Sequence, residues 1–556
     1  MKNNFEIFFD NKIFFYVVLL IGLILRYFPF GFQYFAVADD YSQLGMYSLF
    51  QENIWSNVVA PFYLYALRPL AGLTDAFIIS RFWGNLSIIL LIMMLIHFTS
   101  LYLLEWILEK SGIAWGRVAC IVLAFYPTTE SVYWISASSR IVVSAFFAVL
   151  AVYAMLKFIY KENAYKLWLV VALICGILAQ GYYEQGIIFS FVLTFGILFT
   201  HRQAIQKKII FAWPFVNLII IAIHYLIFWN VGLTAVRTQA PQRGLFEQIA
   251  LVFGRIYNVY ITEHFRLLRY TIRVGIMELF SYHIFLFISV LIISLLLALF
   301  LFFQSDIAYG SYEKYKRNIK PLWYSFLAGL VLFACTFSIF FLVESSFVYL
   351  RSLFFPTIGM ALLAQIIWKL LKWTQIKAIK SAIAFGCVFI LISASILEVK
   401  GYRDVERYDH IIVNNLIKEL NYLEVESDQV VWLFNVRWIY SPVIAPHITS
   451  PLRLTAFLEG YTQTLSGQFD QPLIMPVLHH WNTAGVLALN NAHPPVISTL
   501  NNRENALDLK IDILLGLDYD LNIRILDYVE GILYFRDTGA VFGRLDMING
   551  GEFTIW

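Results

Sequence analysis

Charged residues are scarce in this sequence: Asp, Glu, Lys and Arg make up only 14% of its 556 residues, whereas 60% are hydrophobic. Soluble domains contain about 25% charged and about 45–50% apolar residues. The composition therefore excludes an ordinary soluble protein and indicates an integral membrane protein. The net charge of +3 is small for so long a chain, and without a basic tail it gives no reason to expect a nucleic-acid partner.

Cysteine is rarer still. The four cysteines all fall within apolar runs, where a thiol usually behaves as a small hydrophobic side chain. Their spacing matches no zinc-binding pattern. The sequence thus gives no indication of a disulfide framework or of a zinc site.

Long apolar runs recur along the first 397 residues. About 20 residues of helix are needed to cross roughly 30 Å of hydrocarbon, and a helical backbone satisfies its own hydrogen bonds in lipid. The first run has no small-residue cleavage site, so we interpret it as a retained span. The sequence predicts about eleven transmembrane helices, near residues 12–32, 82–104, 113–128, 140–157, 167–182, 186–200, 209–230, 282–303, 322–342, 352–371 and 381–397.

Lysine and arginine concentrate in one alternate set of the predicted loops. Loops rich in these residues usually face the cytoplasm, which places the N-terminus on the cytoplasmic side. The other loops are then extracytoplasmic. They comprise residues 33–81, 129–139, 183–185, 231–281 and 343–351, and the chain after residue 398.

The tail of about 159 residues after position 398 has a soluble composition and is long enough for a domain. VERYDHIIVNNLIKEL is typical of an amphipathic helix, and DQVVWLFNV, IDILLGL and ILDYVEGILYFRD are typical of strands, the last as a hairpin through Glu530 and Gly531. We therefore predict a transmembrane domain over 1–397 and an extracytoplasmic α/β domain over 398–556. His479 and His480 lack a third spaced ligand, so we reject a metal site there.

Two adjacent aspartates, Asp39 and Asp40, follow the first predicted span. Carboxylates close to hydrocarbon are costly and often mark a substrate or ion pathway, although a water-facing helix cap is an equally simple explanation. Other polar residues occur on further outward segments, so we expect them at one level of one membrane face. They are Glu130 and Trp134, Glu184 and Gln185, Arg351, and the helically spaced Arg266, Arg269 and Arg273.

Trp134 and the arginines of 231–281 each have a simpler interpretation than a place in a substrate site. A tryptophan at a membrane boundary is commonly an anchor, which is the favoured interpretation of Trp134. The arginines of 231–281 could equally form a basic interfacial helix on anionic lipid headgroups.

Several short motifs occur in a fixed order: DDY, the RPL at Arg68, PTTESVYWISASSR, YEQG and RSLFFPTIG. Together they resemble the ordered motifs of the C-type glycosyltransferase superfamily, and within it the transmembrane O-mannosyltransferases with tetratricopeptide repeats and their bacterial relatives. The resemblance covers most of residues 10–365. Tyr126 stands where that family has histidine, Tyr183 stands where it has lysine, and the tail shows no tetratricopeptide pattern.

The resemblance implies a helical membrane bundle in the bacterial plasma membrane that transfers a sugar from a polyprenyl-phosphate donor to an extracytoplasmic glycan, lipid or protein. A single displacement of this kind inverts the anomeric centre. Asp39 or Asp40 would be the general base, with Asp39 favoured and Asp40 orienting the acceptor. Arginines suit the departing phosphate because their planar fork is permanently charged. Arg351 is the first choice, followed by Arg266 and Arg269.

The remaining motif residues are candidates for acceptor and sugar contacts. Glu130 would orient the acceptor, and a divalent cation such as Mg²⁺ or Mn²⁺ could lie between Asp40 and Glu130. Arg68 could pair with the aspartates and keep them ionised. The candidates for sugar or acceptor binding are Arg68, Trp134, Glu184 and Gln185.

Two other functions stay open. A flippase or transporter of a lipid-linked glycan would usually place ionisable residues near the bilayer midplane and show two related halves. A surface-polysaccharide polymerase or ligase would use a long outward loop such as 231–281.

Overall fold

The computed structural model describes about seven tenths of the chain, and all structural statements below refer to that part. The described residues are 9, 11–37, 40–49, 52, 54–55, 68–113, 115–160, 165–200, 213–216, 218–219, 222–223, 244–303, 312–341, 348–371, 377–425, 430–436, 473–478, 487–489, 497–499, 513–517, 520, 522–529, 532–546 and 552–555.

The chain divides into two compact units. Unit 1 comprises Met1–Tyr34 and Ile54–Lys400, and unit 2 comprises Phe35–Asn53 and Gly401–Trp556. The sequence-based boundary lies near residue 398, within the last helix of unit 1. The sequence predicts that residues 35–53 belong to a loop between membrane helices. In the structure, their contacts group them with the tail in unit 2 instead.

Unit 1 is helical. Besides its α-helices it contains 3₁₀ turns at Ile79–Asn85, Ser338–Phe341 and Leu350–Leu353. Its last helix, Lys377–Tyr422, continues past the unit boundary. The preceding helices are Lys12–Tyr27, Pro69–Phe77, Leu86–Lys110, Arg117–Phe125, Thr129–Val132, Ile135–Tyr160, Tyr165–Tyr182, Glu184–Thr200, Leu245–Tyr257, His264–Tyr270, Ile276–Tyr282, Ile284–Phe303, Tyr312–Cys335 and Phe354–Leu371.

Six helical stretches in the described ranges are long and apolar enough to cross a membrane, which supports a multi-pass membrane protein. The predicted count of eleven is not confirmed. In the third predicted span, 113–128, the described helix is Arg117–Phe125, whose nine residues rise about 14 Å, less than the roughly 30 Å of hydrocarbon. Most of the predicted span 209–230 lies outside the described residues. The six stretches are Ile79–Lys110, Ile135–Ile159, Ile284–Phe303, Leu322–Phe341, Leu350–Leu371 and Ile379–Tyr422.

The predicted loop 231–281 is helical wherever the structure describes it. From Leu245 to Tyr282 the α-helices are joined by two π-helical segments, Asn258–Glu263 and Thr271–Gly275, and the backbone at the junctions stays right-handed helical. The position of this segment on the outer side of the membrane stays a prediction. The helical spacing that we inferred for its arginines is correct.

Close helix packing fixes the position of the helix that follows Arg351. A Cβ on Gly359 would lie 2.5 Å from the backbone nitrogen of Phe333 and 2.6 Å from the carbonyl oxygen of Gly329. Only glycine permits this approach, as is common where membrane helices pack through small residues. Helix Phe354–Leu371 is therefore held tightly against helix Tyr312–Cys335.

In unit 2, a π-helix at Asp40–Gly45 and the short helix Met46–Leu49 precede the tail, and the tail contributes a seven-stranded sheet and a separate two-stranded one. The larger sheet has the order β2-β1-β5-β6-β7-β8-β9, parallel over β2-β1-β5 and antiparallel beyond. The strands are β1 Val430–Val436, β2 Leu473–Leu478, β3 Leu487–Leu489, β4 Ile497–Thr499, β5 Ile513–Leu517, β6 Ile523–Val529, β7 Ile532–Phe535, β8 Val541–Asp546 and β9 Glu552–Ile555.

The strand predictions for the tail are confirmed. β1 and β5 coincide with two of the apolar runs, and β6 and β7 form the expected hairpin, with Val529 paired to Ile532. Glu530 and Gly531 themselves lie outside the described residues. Alternate side chains of the paired strands are buried, including Val431, Leu433 and Leu515.

Candidate functional site

A short connection in unit 1, residues 126–130, carries Glu130. Buried polar groups hold its first half. Arg26 donates to the carbonyl oxygens of Ala124 and Tyr126, where the helix Arg117–Phe125 ends. A cation at this position matches the partial negative charge of the helix terminus. Ser395 Oγ donates to the neighbouring carbonyl of Phe125 over 2.8 Å.

The second half of the connection is fixed from two other helices. Nε2 of the buried His264 lies 3.0 Å from the carbonyl oxygen of Pro127. Thr129 donates to the carboxylate of Glu398 from both its hydroxyl and its backbone nitrogen. Since Thr129 begins the helix Thr129–Val132, Glu398 satisfies a free N–H at that helix terminus. The backbone that presents Glu130 is therefore rigid.

Glu130 faces Arg351. Nε of Arg351 lies 3.9 Å from Oε1 of Glu130, and the side chain of Arg351 is 20% exposed whereas that of Glu130 is 2% exposed. This is a long, single contact, unlike the shorter and often bidentate geometry of a strong arginine–carboxylate pair. Arg351 is thus held near the carboxylate and still reaches the surface of the unit.

Aromatic rings surround the Arg351 guanidinium. Its central carbon lies 6.0 Å from the ring centre of Trp134 and 5.6 Å from that of Tyr349, within cation–π range. Trp134 is fully buried. The anchor interpretation of Trp134 is therefore wrong, because an anchor must reach the membrane interface.

Hydrogen bonds from side chains to backbone carbonyls join the helix Thr129–Val132 to the turn Leu350–Leu353 and fix that turn in place. Ser131 Oγ donates to the carbonyl oxygens of Leu350 and Arg351, over 3.2 and 2.9 Å. Nε2 of the buried Gln185 donates to the carbonyls of Ser352 and Thr336, each over 3.2 Å. Gln185, which we expected among the acceptor-binding residues, braces the backbone beside Arg351.

Arg68 forms a short ion pair with Glu184, in which one N–H is shared between the two carboxylate oxygens. Its Nε lies 2.8 and 2.9 Å from the two carboxylate oxygens, and its guanidinium carbon lies 4.5 Å from the ring centre of Tyr183. We expected Arg68 to pair with the first-loop aspartates; instead its charge is matched by Glu184. Burial raises the pKa of the Tyr183 phenol, and Arg68, Arg351 and Arg140 oppose that rise, so three guanidiniums act on one ring.

A second buried ion pair lies nearby and was not anticipated from the sequence. Arg140 Nη2 lies 3.0 Å from Oδ2 of the fully buried Asp75, and Ser139 Oγ donates to the other oxygen of Asp75 over 3.1 Å. Burial raises the pKa of Asp75, whereas Arg140 and Ser139 lower it. A carboxylate within an apolar stretch is the signal that could have identified Asp75, and the same signal applies to Glu398.

Glu263 joins this group from the segment that was predicted as a loop. Burial and the nearby Glu130 raise its pKa to about 7, and Arg266 acts in the opposite direction. Oε2 of Glu263 and Nε of Arg266 are both buried without a hydrogen-bond partner in the described part of the chain. Glu130 and Arg266 therefore both lie close to Glu263, while Arg269 is exposed.

Of the predicted base pair, only Asp40 is among the described residues; Asp39 is outside them. Asp40 is fully buried in unit 2, and its Oδ2 accepts a hydrogen bond from the backbone nitrogen of Val37 over 3.1 Å. Beside it, Tyr41 and His410 are hydrogen bonded over 2.7 Å, and Glu406 accepts from the backbone nitrogen of Ala36. The water-facing helix cap is therefore wrong for Asp40, because its carboxylate is buried and accepts from a residue that precedes the helix Asp40–Gly45.

The described residues give no support for a divalent cation at Asp40 and Glu130. Among the described residues, no group of three or more His, Cys, Asp or Glu side chains is placed to hold a metal ion. Glu130 already faces the cationic Arg351. We therefore assign no step to a metal. His479 and His480 are outside the described residues.

No protein-family model, curated protein or solved structure matches the chain. The motif resemblance described above thus stays a prediction.

Proposed function

We propose that the protein is a glycosyltransferase of the C-type superfamily in the bacterial plasma membrane. It transfers a sugar from a polyprenyl-phosphate donor to an extracytoplasmic acceptor, with its N-terminus in the cytoplasm and the tail domain outside. The proposal keeps the count of about eleven spans. The observation that carries it is the pair formed by Arg351 and Glu130, in which a partly exposed guanidinium is held by one long contact beside the buried ring of Trp134.

A guanidinium held in this way is suited to a lipid-borne phosphate. It is permanently charged, and it can exchange a weak contact with Glu130 for two parallel hydrogen bonds to phosphate oxygens. Arg266 on the neighbouring helix adds a buried Nε–H that has no hydrogen-bond partner among the residues described by the structure. In our proposal these two arginines stabilise the negative charge that develops as the phosphate departs.

The reaction is a single displacement. The acceptor hydroxyl attacks the anomeric carbon, the bond from that carbon to the phosphate oxygen breaks, and polyprenyl phosphate leaves with the bonding electron pair. The hydroxyl proton passes to a carboxylate, for which the resemblance favours Asp39. The configuration at the anomeric carbon is inverted.

A flippase for a lipid-linked glycan is the main rival. Buried charges inside membrane helices would favour transport, and Arg26 and Glu398 are such residues. Each, however, satisfies a helix terminus, Arg26 at Ala124 and Glu398 at Thr129. Their contacts therefore account for them structurally, and we prefer the transferase.

The test is transfer by the purified protein in vesicles with a panel of radiolabelled polyprenyl-phosphate sugars and a crude envelope acceptor. We expect a glycosylated product from the native protein and none from Asp39→Asn at equal membrane levels, with Asp40→Asn as the matched comparison. Near-normal transfer by Asp39→Asn would exclude the proposed base. Movement of the lipid-linked sugar across the bilayer without any product would identify a flippase.

A further inference from the structure

The helical segment Leu245–Tyr282 has two different faces. Its inner face is buried within unit 1, where Gln248 donates to the carbonyl of Phe340 over 3.2 Å, and Glu278 and Lys400 form an ion pair of 2.9 Å. A Cβ on Gly275 would lie 2.2 Å from the side chain of Leu397. The segment is therefore firmly attached along its length.

Its outer face carries large apolar side chains that are strongly exposed. Phe253, Tyr257, Ile261 and Phe265 recur every four residues and are 60, 64, 52 and 64% exposed. A spacing of four overshoots the α-helical turn of about 3.6 residues, and the wider turns of the π-helix Asn258–Glu263 offset that drift. The four side chains thus form one continuous stripe.

The same spacing continues into two arginines and then returns to apolar residues. Arg269 and Arg273 follow Phe265 at intervals of four, both are exposed, and neither has an ion-pair partner among the residues that the structure describes. Met277 comes next and is 65% exposed. Two cations are therefore flanked on both sides by apolar surface.

An exposed apolar stripe of this size is a liability in water and marks a contact with lipid or protein. The two arginines decide between these partners. Their long side chains can extend from an apolar surface to the phosphates of anionic lipids, as basic residues of interfacial helices do. A second copy of this chain would present the same positive charges, so that a contact through this stripe would bring like charges together.

We propose that the outer face of Leu245–Tyr282 lies along the membrane interface, with the stripe Phe253–Phe265 against acyl chains and with Arg269 and Arg273 bound to anionic lipid headgroups. This proposal does not depend on the transferase function. It assigns Arg269 to the surrounding lipid and leaves Arg266, whose Nε is buried, for the substrate phosphate.

The first arm of the test measures which medium the stripe contacts. The full chain without its native cysteines receives one nitroxide label at Tyr257 or Phe265, or at Thr538 in an exposed turn of unit 2, and is reconstituted in vesicles. We expect labels at 257 and 265 to collide more often with oxygen than with a water-soluble nickel complex, and the label at 538 to show the reverse. Predominant nickel collisions at 257 and 265 would overturn the proposal, and so would short distances between labels of two copies at 265.

The second arm measures the headgroup preference. The enrichment of an anionic phospholipid around the protein, relative to a zwitterionic one, is determined by mass spectrometry of protein extracted in its lipid annulus. Each basic residue near an anionic surface contributes about fivefold in binding. We expect Arg269→Gln and Arg273→Gln each to reduce the enrichment about that much, with the exposed Arg81→Gln as the matched control. Unchanged enrichment in both variants would overturn the assignment of these arginines.

Discussion

Two ion pairs in unit 1 each join an arginine to a glutamate, but the distance between the charged groups differs between them. Arg68 and Glu184 meet through two short hydrogen bonds of 2.8 and 2.9 Å, whereas Arg351 and Glu130 are 3.9 Å apart at a single contact. The acid is the more buried partner in both. The short contact favours a structural role for Arg68, whereas among the residues that the structure describes the Arg351 guanidinium has no hydrogen bond to a carboxylate and keeps its donors for a ligand. The difference therefore separates a structural pair from a candidate binding pair.

The largest effect should come from Arg351→Gln. We expect transfer to fall about 10²- to 10³-fold, because a positioned donor to the developing charge is worth roughly 3 to 4 kcal/mol. Arg351→Lys should recover only part of that loss, since lysine offers a point charge without the planar fork. Initial rates at saturating donor would measure both variants.

The control for that comparison is the double variant Arg351→Gln with Glu130→Gln. It removes both charges, so a fold defect caused by the unmatched carboxylate of Glu130 should be relieved while transfer stays low. If the double variant recovered transfer, the pair would be structural, and the contrast with Arg68 would disappear.

An intermediate effect is expected at the tight pair. Arg68→Gln leaves Glu184 without its partner, and because the arginine is 32% exposed we expect a loss of only about 1 to 2 kcal/mol of stability. Thermal unfolding in detergent, with a double-mutant cycle through Glu184→Gln, would measure the coupling between the two groups. A variant that lost transfer while keeping its stability would instead assign Arg68 to substrate binding.

The smallest effect concerns Glu263, which is close to the loose pair. Its pKa of about 7 lies above the ordinary value of 4.5, so the folded state binds the proton more tightly than the unfolded state. Stability should therefore decrease as pH rises from about 4.5 to 7, by an amount on the order of 1 kcal/mol for a partly exposed group. The melting temperature of Glu263→Gln should change less over that pH range than that of the native protein; equal slopes would contradict the assignment.

Sequence patterns predicted those parts of the molecule that depend on local composition. Apolar run length identified the six helical stretches that are long enough to cross a membrane, and shorter apolar runs identified β1 and β5, because both signals are carried by neighbouring residues. The motifs singled out Arg351 and Glu130 separately, but they did not predict that the two side chains face each other. The distance between the charged groups, which distinguishes this pair from that of Arg68 and Glu184, depends on tertiary packing. No local sequence pattern encodes that packing.

Other features were missed for the same reason. The segment from Leu245 to Tyr282 carries four arginines among its apolar residues, so a hydropathy window does not identify it as a helix, yet its packing and π-helical turns keep one face apolar. Glu398 and Asp75 were missed because their partners, Thr129 and Arg140, lie far away in the chain. The grouping of residues 35–53 with the tail is likewise a matter of tertiary contacts.

That last feature has a consequence for how the protein is made. Tyr41 leaves the ribosome early, but its partner His410 is 369 residues further along the chain. At about 5 to 20 residues per second, synthesis of the intervening chain takes roughly 20 to 75 s. Unit 2 therefore cannot complete its fold during that interval. Its first segment must be protected from misfolding and degradation until the final part of the polypeptide emerges.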